Sequence, residues 1–404
     1  MHPEVNPLPI LTICIPTYNR ARYLECLLED IANNVYQLGI CYELLIGDNA
    51  SEDNTTDVVN RYESLLPIRY FRRPENIGGA QNLKKLYGDA LGRYVVYLAD
   101  DDQLILEELG RCIRILESNP NVGAVFAPWH IYDRVSGEDY GCFYSVEHET
   151  LIAARDHSAL FCLIMNAHIF PEIYVIRASL ARKVAINDNR FAFYFFVQIA
   201  LMLDQSAVIF SPEPFYRSIT RYFEGESRTQ AGIEQVKFGW DMYRGGLEYL
   251  LSRFSSSLSM VDLESCHRAI DQFTRIRMQV GLRLRTHACK DWIDNYYIAS
   301  RLLSTGGESL LPASYESYRI NAALEYLLGM QPFYPEQAEI FFYLDDPPQI
   351  LSQAHNFSKT PISSWEYKSK PLGHNAILLT SINIIETSCR AIIISEAELM
   401  ARFP

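Results

Sequence analysis

The sequence predicts an α/β domain followed by a mainly helical part, and three observations carry that prediction. In the first half, short apolar runs alternate with segments whose apolar residues recur at helical spacing. Such alternation implies a parallel sheet covered by helices on both faces. Three of the apolar runs end in polar or acidic turns, at the edge where ligands gather in sheets of this kind. From about Gln230 to Leu328 the texture changes to long helical patterns rich in Leu, Tyr and Arg.

The elements follow in order. Leu11 to Ile15 is an apolar run closed by Pro16, as suits a strand buried on both faces. Arg20 to Val35 places Tyr23, Leu24, Leu27, Leu28 and Ile31 on one helical stripe. Tyr42 to Gly47 reads as a strand, and Asp53 to Leu65 as a helix with Ser51 or Asp53 as its cap. Ile68 to Phe71 is a short strand, Ala80 to Leu91 a helix, and Tyr94 to Leu98 a strand. Glu107 to Glu117 is a helix and Val122 to Phe126 another strand. The most apolar stretch is Phe191 to Leu203. As a helix it would reach about 20 Å, short of the roughly 30 Å hydrocarbon core, so a buried core helix is expected. Three late apolar runs, Ile340 to Leu344, Ala376 to Leu379 and Ala391 to Ile394, suit a small appended α/β unit near residues 338–404. The expected division is one domain over residues 1–228 and a second over 229–404.

Composition narrows the function. Of 404 residues, 49% are hydrophobic and 21% charged, so the chain buries a substantial core. Its net charge is −13, a field that does not attract phosphate backbones, and no nucleic-acid partner is expected. Nine cysteines without a CxxC pair argue against a zinc knuckle and fit a reducing compartment. The opening residues MHPEVNPLPI lack a basic stretch followed by an apolar core, so a cytoplasmic location is expected. Peripheral contact with the inner membrane face and self-association stay open.

The polar turns carry the chemistry. Pro16-Thr17-Tyr18-Asn19 follows the first strand, Asp48 to Asp53 the second, and Asp100-Asp101-Asp102 the run Tyr94 to Leu98. Any one of them alone reads equally well as a plain turn. Together they fall on one edge of a parallel sheet. Adjacent carboxylates repel one another, and a divalent cation such as Mn²⁺ or Mg²⁺ relieves that repulsion through oxygen ligands. The competing reading is a solvated acidic helix start, since Glu107 and Glu108 follow.

The stretches ICIPTYNRARYLECLL, LLIGDNASEDNT and PENIGGAQNLKKLYGDALGRYVVYLADDD, in that order, resemble the family 2 glycosyltransferases, which have the GT-A fold. The resemblance covers about Leu11 to Val125 well, runs loosely to Thr220, and is greatest to enzymes that attach abequose and related deoxysugars. It implies a GT-A domain that moves a sugar from a nucleotide-diphosphosugar donor to a glycan or lipid-linked saccharide acceptor. On that likeness Pro16, Thr17 and Tyr18 line the nucleotide pocket. Asn49 stands where relatives often carry an acid that reads the pyrimidine edge; Asn both donates and accepts, so a UDP donor is placed in doubt. Asn76, Gly78 and Gly79 match the family's N-x-G turn, and Asn82 projects towards donor or triplet. Asp100 faces the ribose, Asp101 the metal, and Asp102 lies in or behind the metal shell. Asp48 stabilises its own turn.

The catalytic base is less legible. Relatives often carry an acid in the helix before the P-x-x-Y-R stretch, which here is Pro212 to Arg217, but that helix has none. Glu172 and Asp188 are the replacements, against the plain readings of a surface carboxylate and a helix cap, and inverting versus retaining chemistry stays open. Arg217, Arg221 and Arg228 flank a polar segment, Ser218 to Gln230, that could close on a diphosphate. His157 and His168 read as packed residues before metal ligands. A sugar-nucleotide pyrophosphorylase and a catalytically silent GT-A scaffold are the competing functions.

Overall fold

In a computed structural model, the chain is described over residues 8–184, 191–226, 231–288, 290–329, 339–343, 348–353, 362–365, 376–381 and 392–404. It divides into two compact units. Unit 1 is Met1–Thr229 with Asp241–Phe273, and unit 2 is Gln230–Trp240 with Thr274–Pro404.

Unit 1 opens with β1 (Leu11–Thr17), α1 (Ala21–Asn34), β2 (Tyr42–Asp48), α2 (Thr55–Tyr62), β3 (Ile68–Arg72), α3 (Gly79–Asp89) and β4 (Tyr94–Tyr97). It continues through β5 (Gln103–Leu104), α4 (Leu106–Ser118), β6 (Val122–Phe126), β7 (Trp129–Asp133), β8 (Glu138–Cys142) and β9 (Thr150–Ile152). Then come α5 (His157–Ala167), β10 (Tyr174–Arg177), α6 (Ala178–Val184), α7 (Tyr194–Gln205), β11 (Ala207–Phe210) and β12 (Tyr216–Arg221). The main sheet has eight strands in the order β3-β2-β1-β4-β10-β6-β11-β9, and a second sheet runs β5-β12-β7-β8.

The first four strands pair in parallel, as the alternation predicts. Beyond β4 the sheet is mixed. β10 runs antiparallel to both β4 and β6. The chain leaves β6 at the carboxyl edge, builds β7 and β8, passes through β9 at the far edge of the main sheet and then α5, and enters β10 from the carboxyl edge. This reversal sets the start of β10 beside the carboxyl ends of β4 and β6.

Burial follows the sequence pattern. Leu11, Ile13, Cys14 and Ile15 of β1 are wholly buried, as a central strand covered on both faces requires. Helix α1 buries Leu24, Leu27, Leu28 and Ile31, the expected stripe. Helix α7 buries Phe196, Ile199, Ala200, Met202 and Leu203 and is a core helix. No helix among the described residues is long and apolar enough to cross a membrane. The segment Ser218 to Gln230, expected to be a mobile loop, begins instead as the second half of β12.

After β12 come α8 (Ala231–Phe238), α9 (Trp240–Ser252) and α10 (Met260–His287). Tyr243, Leu247, Leu250, Ile270 and Phe273 from α9 and α10 are buried in the core of unit 1. Unit 2 adds α11 (Trp292–Ser304), α12 (Tyr315–Gly329), β13 (Glu339–Tyr343), α13 (Gln349–Gln353), β14 (Ile362–Trp365), β15 (Ala376–Thr380), β16 (Ile392–Ser395) and α14 (Glu396–Met400). Its four strands form a parallel sheet, β14-β13-β15-β16. The three late apolar runs are strands of that sheet. The fourth strand, β14, is half polar (ISSW) and gives no apolar run.

Candidate active site

The carboxyl ends of β1, β2 and β4 bring the three polar turns to one edge. The first two turns hold each other. Asn19 accepts from the Glu52 N–H at 2.8 Å through its side chain, and its own N–H donates to Ser51 Oγ at 2.9 Å. Asn19 and Ala50 both have left-handed backbone, at φ 52° and 69°. Asn tolerates that region; Ala does not, so the second turn holds strain at this edge. Asp48, wholly buried, accepts from the Ser51 N–H at 2.8 Å and the Tyr70 hydroxyl at 2.5 Å, so it closes its own turn. Asp53 accepts from the Ala21 N–H at 2.9 Å and from Thr55, joining the starts of α1 and α2.

Asn49 and Asn82 are engaged inside the protein. The Asn49 side-chain oxygen accepts from the Ile77 N–H at 2.9 Å, and its amide donates to Asn76 Oδ1 at 2.6 Å. Asn49 therefore clamps the N-x-G turn, where the sequence suggested a reader of the base. Asn82 is buried, donates to the Gly47 carbonyl at 2.6 Å and accepts from Arg73 Nε at 3.1 Å. It fixes α3 to β2. A Cβ on Gly47 would stand 2.8 Å from the Asn82 side-chain oxygen, so only glycine allows this approach. Gly78, at φ 83°, supplies the left-handed bend before α3.

The triplet splits into two parts. Asp100 and Asp101 are 4% and 9% exposed, and both accept from one Arg20 nitrogen, at 3.2 Å and 2.6 Å. Burial, then the neighbouring Asp101 charge, pushes the Asp100 carboxyl up to about 7, against the opposing pull of Arg20 and Thr17. Asp102 turns to the second sheet. Its oxygens accept from the Tyr216 hydroxyl and the Ile219 N–H, both at 2.8 Å. Asp102 thus ties the end of β4 to β12, where the sequence suggested a metal ligand.

Arg20 is the residue that sequence reasoning missed. The repulsion within the triplet was assigned to a divalent ion, yet a guanidinium already bridges two of its members. The signal was present in PTYNR, a cation on the same edge as the acids. Among the described residues, no group of three His, Cys, Asp or Glu side chains converges as a metal cage. The donor set that fits a hard divalent ion is the Asp100–Asp101 pair, with further oxygens left to substrate.

The remaining candidates fall elsewhere. Pro16 and Thr17 end β1, and Tyr18 beyond them is 42% exposed on the same edge. Glu172 precedes β10 and so lies at the carboxyl edge of β4 and β6, on the side of the triplet. Asp188 and Arg228 lie outside the described residues. Arg217 is opposite Gln103 and His130 in register, on the side of β12 away from Tyr216. Its guanidinium lies 5.6 Å over the Tyr132 ring and its buried Nε has no acceptor. Strand alternation thus turns Arg217 away from the triplet where donor contact was expected. Arg221 is paired with the buried Asp133 at 2.5 Å. Beyond β12 the chain is laid on α1: Glu226 accepts from Tyr23 at 2.8 Å, and Arg22 lies 3.3 Å over the Phe223 ring. His157 faces Asp204 at 3.1 Å within the core and His168 packs on Phe273, so neither joins the triplet.

Paired buried carboxylates thus stand at the carboxyl edge of the parallel strands of a mixed α/β domain. Residues 12–167 match the Glycosyl transferase family 2 model. Abequosyltransferase RfbV of Salmonella typhimurium is 35% identical over 115 residues, 28% of this chain and 34% of that protein. The chain thus spans about a third of the length of that relative. Among solved structures, Staphylococcus aureus TarS 1-349 is 14% identical over 79% of this chain and 87% of its own, with a TM-score of 0.47. The mannosyltransferase PcManGT from Pyrobaculum calidifontis, in complex with GDP-Man and Mn2+, is 18% identical over 80% and 88%, with a TM-score of 0.44.

Proposed function

We propose that this protein is a glycosyltransferase of surface polysaccharide synthesis, acting on the cytoplasmic side of the membrane. It moves a sugar from a nucleotide-diphosphosugar donor to a glycan or lipid-linked saccharide. The observation that carries this reading is the buried Asp100–Asp101 pair, inside the family-matched stretch, already holding one cationic group. In this reading Pro16, Thr17 and Tyr18 line the nucleotide, Asp100 faces the ribose and Asp101 holds Mn²⁺ or Mg²⁺. A bound divalent cation supplies charge that stabilises the departing diphosphate. Asp102 keeps the pair in place through Tyr216. Glu172, on the same edge, takes the acceptor proton, with Asp188 as the second candidate base.

The test is a thermal-shift panel of UDP, CDP, GDP and dTDP with Mn²⁺. A ligand preferred by the native state raises the melting temperature. A pyrimidine diphosphate is expected to give the largest rise, and Asp101→Ala to remove its metal-dependent part. Equal shifts with all four, or none, would contradict the reading. One observation favours a silent scaffold: Arg20 satisfies the acidic pair without metal. Metal-dependent hydrolysis of a nucleotide sugar, present in the wild type and lost in Asp101→Ala, would exclude it.

A further inference from the structure

The face of the second sheet turned away from the triplet carries a guanidinium without a counter-ion among the described residues. Arg217 of β12 stands opposite Gln103 of β5 on one side and His130 of β7 on the other, so the three side chains leave the sheet on one face. Across β7, His130 stands opposite Cys142 of the edge strand β8. The row is open to solvent at that end, where Cys142 is exposed and the His130 side chain is 26% exposed. At the other end Gln103 donates to Asp30 of α1, so that helix walls the row.

Arg217 is half-buried, and its guanidinium lies 5.6 Å over the Tyr132 ring. That contact holds the plane of the fork but uses none of its N–H donors. The Nε atom is buried without an acceptor, and among the described residues the guanidinium has no hydrogen-bond or ion-pair partner. The acids that flank the row are committed elsewhere. Asp139 faces His130 Nδ1 at 3.1 Å and accepts from the Gly141 N–H at 2.8 Å. Asp30 accepts from Gln103 and, at 2.8 Å, from Arg134. Arg134 and Arg221, close by in sequence, each hold a carboxylate. With a net charge of −13 this chain has acids to spare, and half-buried donors normally find an acceptor. Such a fork matches the paired oxygens of a carboxylate or a phosphate, and one already laid on an aromatic ring loses little freedom on binding.

We propose that Arg217, seated on Tyr132 between Gln103 and His130, is a binding site for an oxyanion of the carboxylate or phosphate class. Strand alternation separates it from the donor edge, since Tyr216 points to Asp102 and Arg217 leaves the opposite face. The site therefore does not depend on the sugar-transfer reading. Its occupant is either a free phosphate or the acidic group of a saccharide, which share this chemistry.

The test is NMR of the full chain with isotope-labelled arginine side chains, titrated with inorganic phosphate, with methyl glucuronide and, as the neutral control, with methyl glucoside. The Arg217 Nε–H signal, identified by its loss in Arg217→Lys, is expected to shift saturably with phosphate or the glucuronide and not with the glucoside. Either anion supports the site, and the one that binds at lower concentration names the source. The ring signal of His130, next in the row, is expected to shift with the same midpoint. That midpoint should rise several-fold in Arg217→Lys, which keeps the charge without the fork, and about tenfold in Arg217→Gln. Cooperative melting of both variants reports that they are folded. An Arg217 signal that ignores both anions overturns the site. So does an equal response to the neutral glucoside, or a His130 shift unchanged in Arg217→Gln, which would put the anion elsewhere.

Discussion

Asp100 is where the site's electrostatics concentrate, because it is buried, beside a second acid, and countered by one guanidinium. Its folded pKa of about 7 lies above the ~3.9 of an unfolded chain. The folded state therefore keeps a proton that the unfolded state gives up. Stability from this group is full below about pH 4, falls as pH rises to about 7, and is flat above. In chelator-treated protein, denaturant unfolding should show a loss of a few kcal/mol over that window, and Asp100→Asn should remove it. An identical slope in the variant would contradict the assignment. Arg20 gives the complementary prediction. Removing one partner of a buried ion pair costs about 3–5 kcal/mol, and the partial exposure of Arg20 lowers this to about 2 kcal/mol. Arg20→Gln should lose that amount in metal-free buffer, and Mn²⁺ should then raise the melting temperature more in the variant than in the wild type. A variant as stable as the wild type, or indifferent to Mn²⁺, would show that the guanidinium is not the counter-ion.

At the scale of elements, the site depends on how β12 meets the end of β4. Tyr216, 2% exposed, donates to Asp102 and its hydroxyl also accepts from the Ala99 N–H at 3.2 Å. Tyr216→Phe leaves a carboxylate oxygen and a backbone N–H without that partner, a cost of about 1–3 kcal/mol. It should lower the melting temperature and reduce the Mn²⁺-dependent nucleotide shift, although Tyr216 does not touch the metal pair. A variant with an unaltered nucleotide shift would disconnect β12 from the triplet. This link also marks what was readable beforehand. β1, β2 and β4 were legible because strands buried on both faces are continuous apolar runs. The direction of β10 was not, since apolar pattern carries no sense of direction. β12, with the sequence YRSITR, read as loop because its polar positions suit one solvent-facing side of a sheet. Arg20 was legible as a residue but not as a partner. Its acids lie 80 and 81 positions away, and only the parallel pairing of β1 with β4 brings them together. Asn49 and Asn82 were legible as residues of this edge, but their protein partners, Asn76 and the Ile77 N–H for one, Arg73 and the Gly47 carbonyl for the other, were not, because no motif announces them.

At the scale of the molecule, the change of texture near residue 230 suggests a cut that the core does not respect. Tyr243, Leu247, Leu250, Ile270 and Phe273 follow that point in sequence, yet each is at most 3% exposed within the core of unit 1. Phe273 and Tyr243 both pack on Phe170, at 5.4 Å and 5.1 Å between centroids, and Tyr243 meets Phe193 at 4.9 Å. Burying one such side chain is worth roughly 1.5–3 kcal/mol, so the five together rival the ~5–15 kcal/mol that holds a whole domain folded. A fragment ending at residue 228 exposes Phe170, Phe193 and Phe196 as a contiguous apolar patch. A fragment ending after Phe273 keeps that patch covered. The expected outcome is that residues 1–228 aggregate or melt without a cooperative transition, while residues 1–273 are soluble and retain the Mn²⁺-dependent nucleotide shift. Size-exclusion chromatography and calorimetry of the two fragments decide it. A cooperative, nucleotide-binding 1–228 fragment would show that α9 and α10 lie against a core already complete without them.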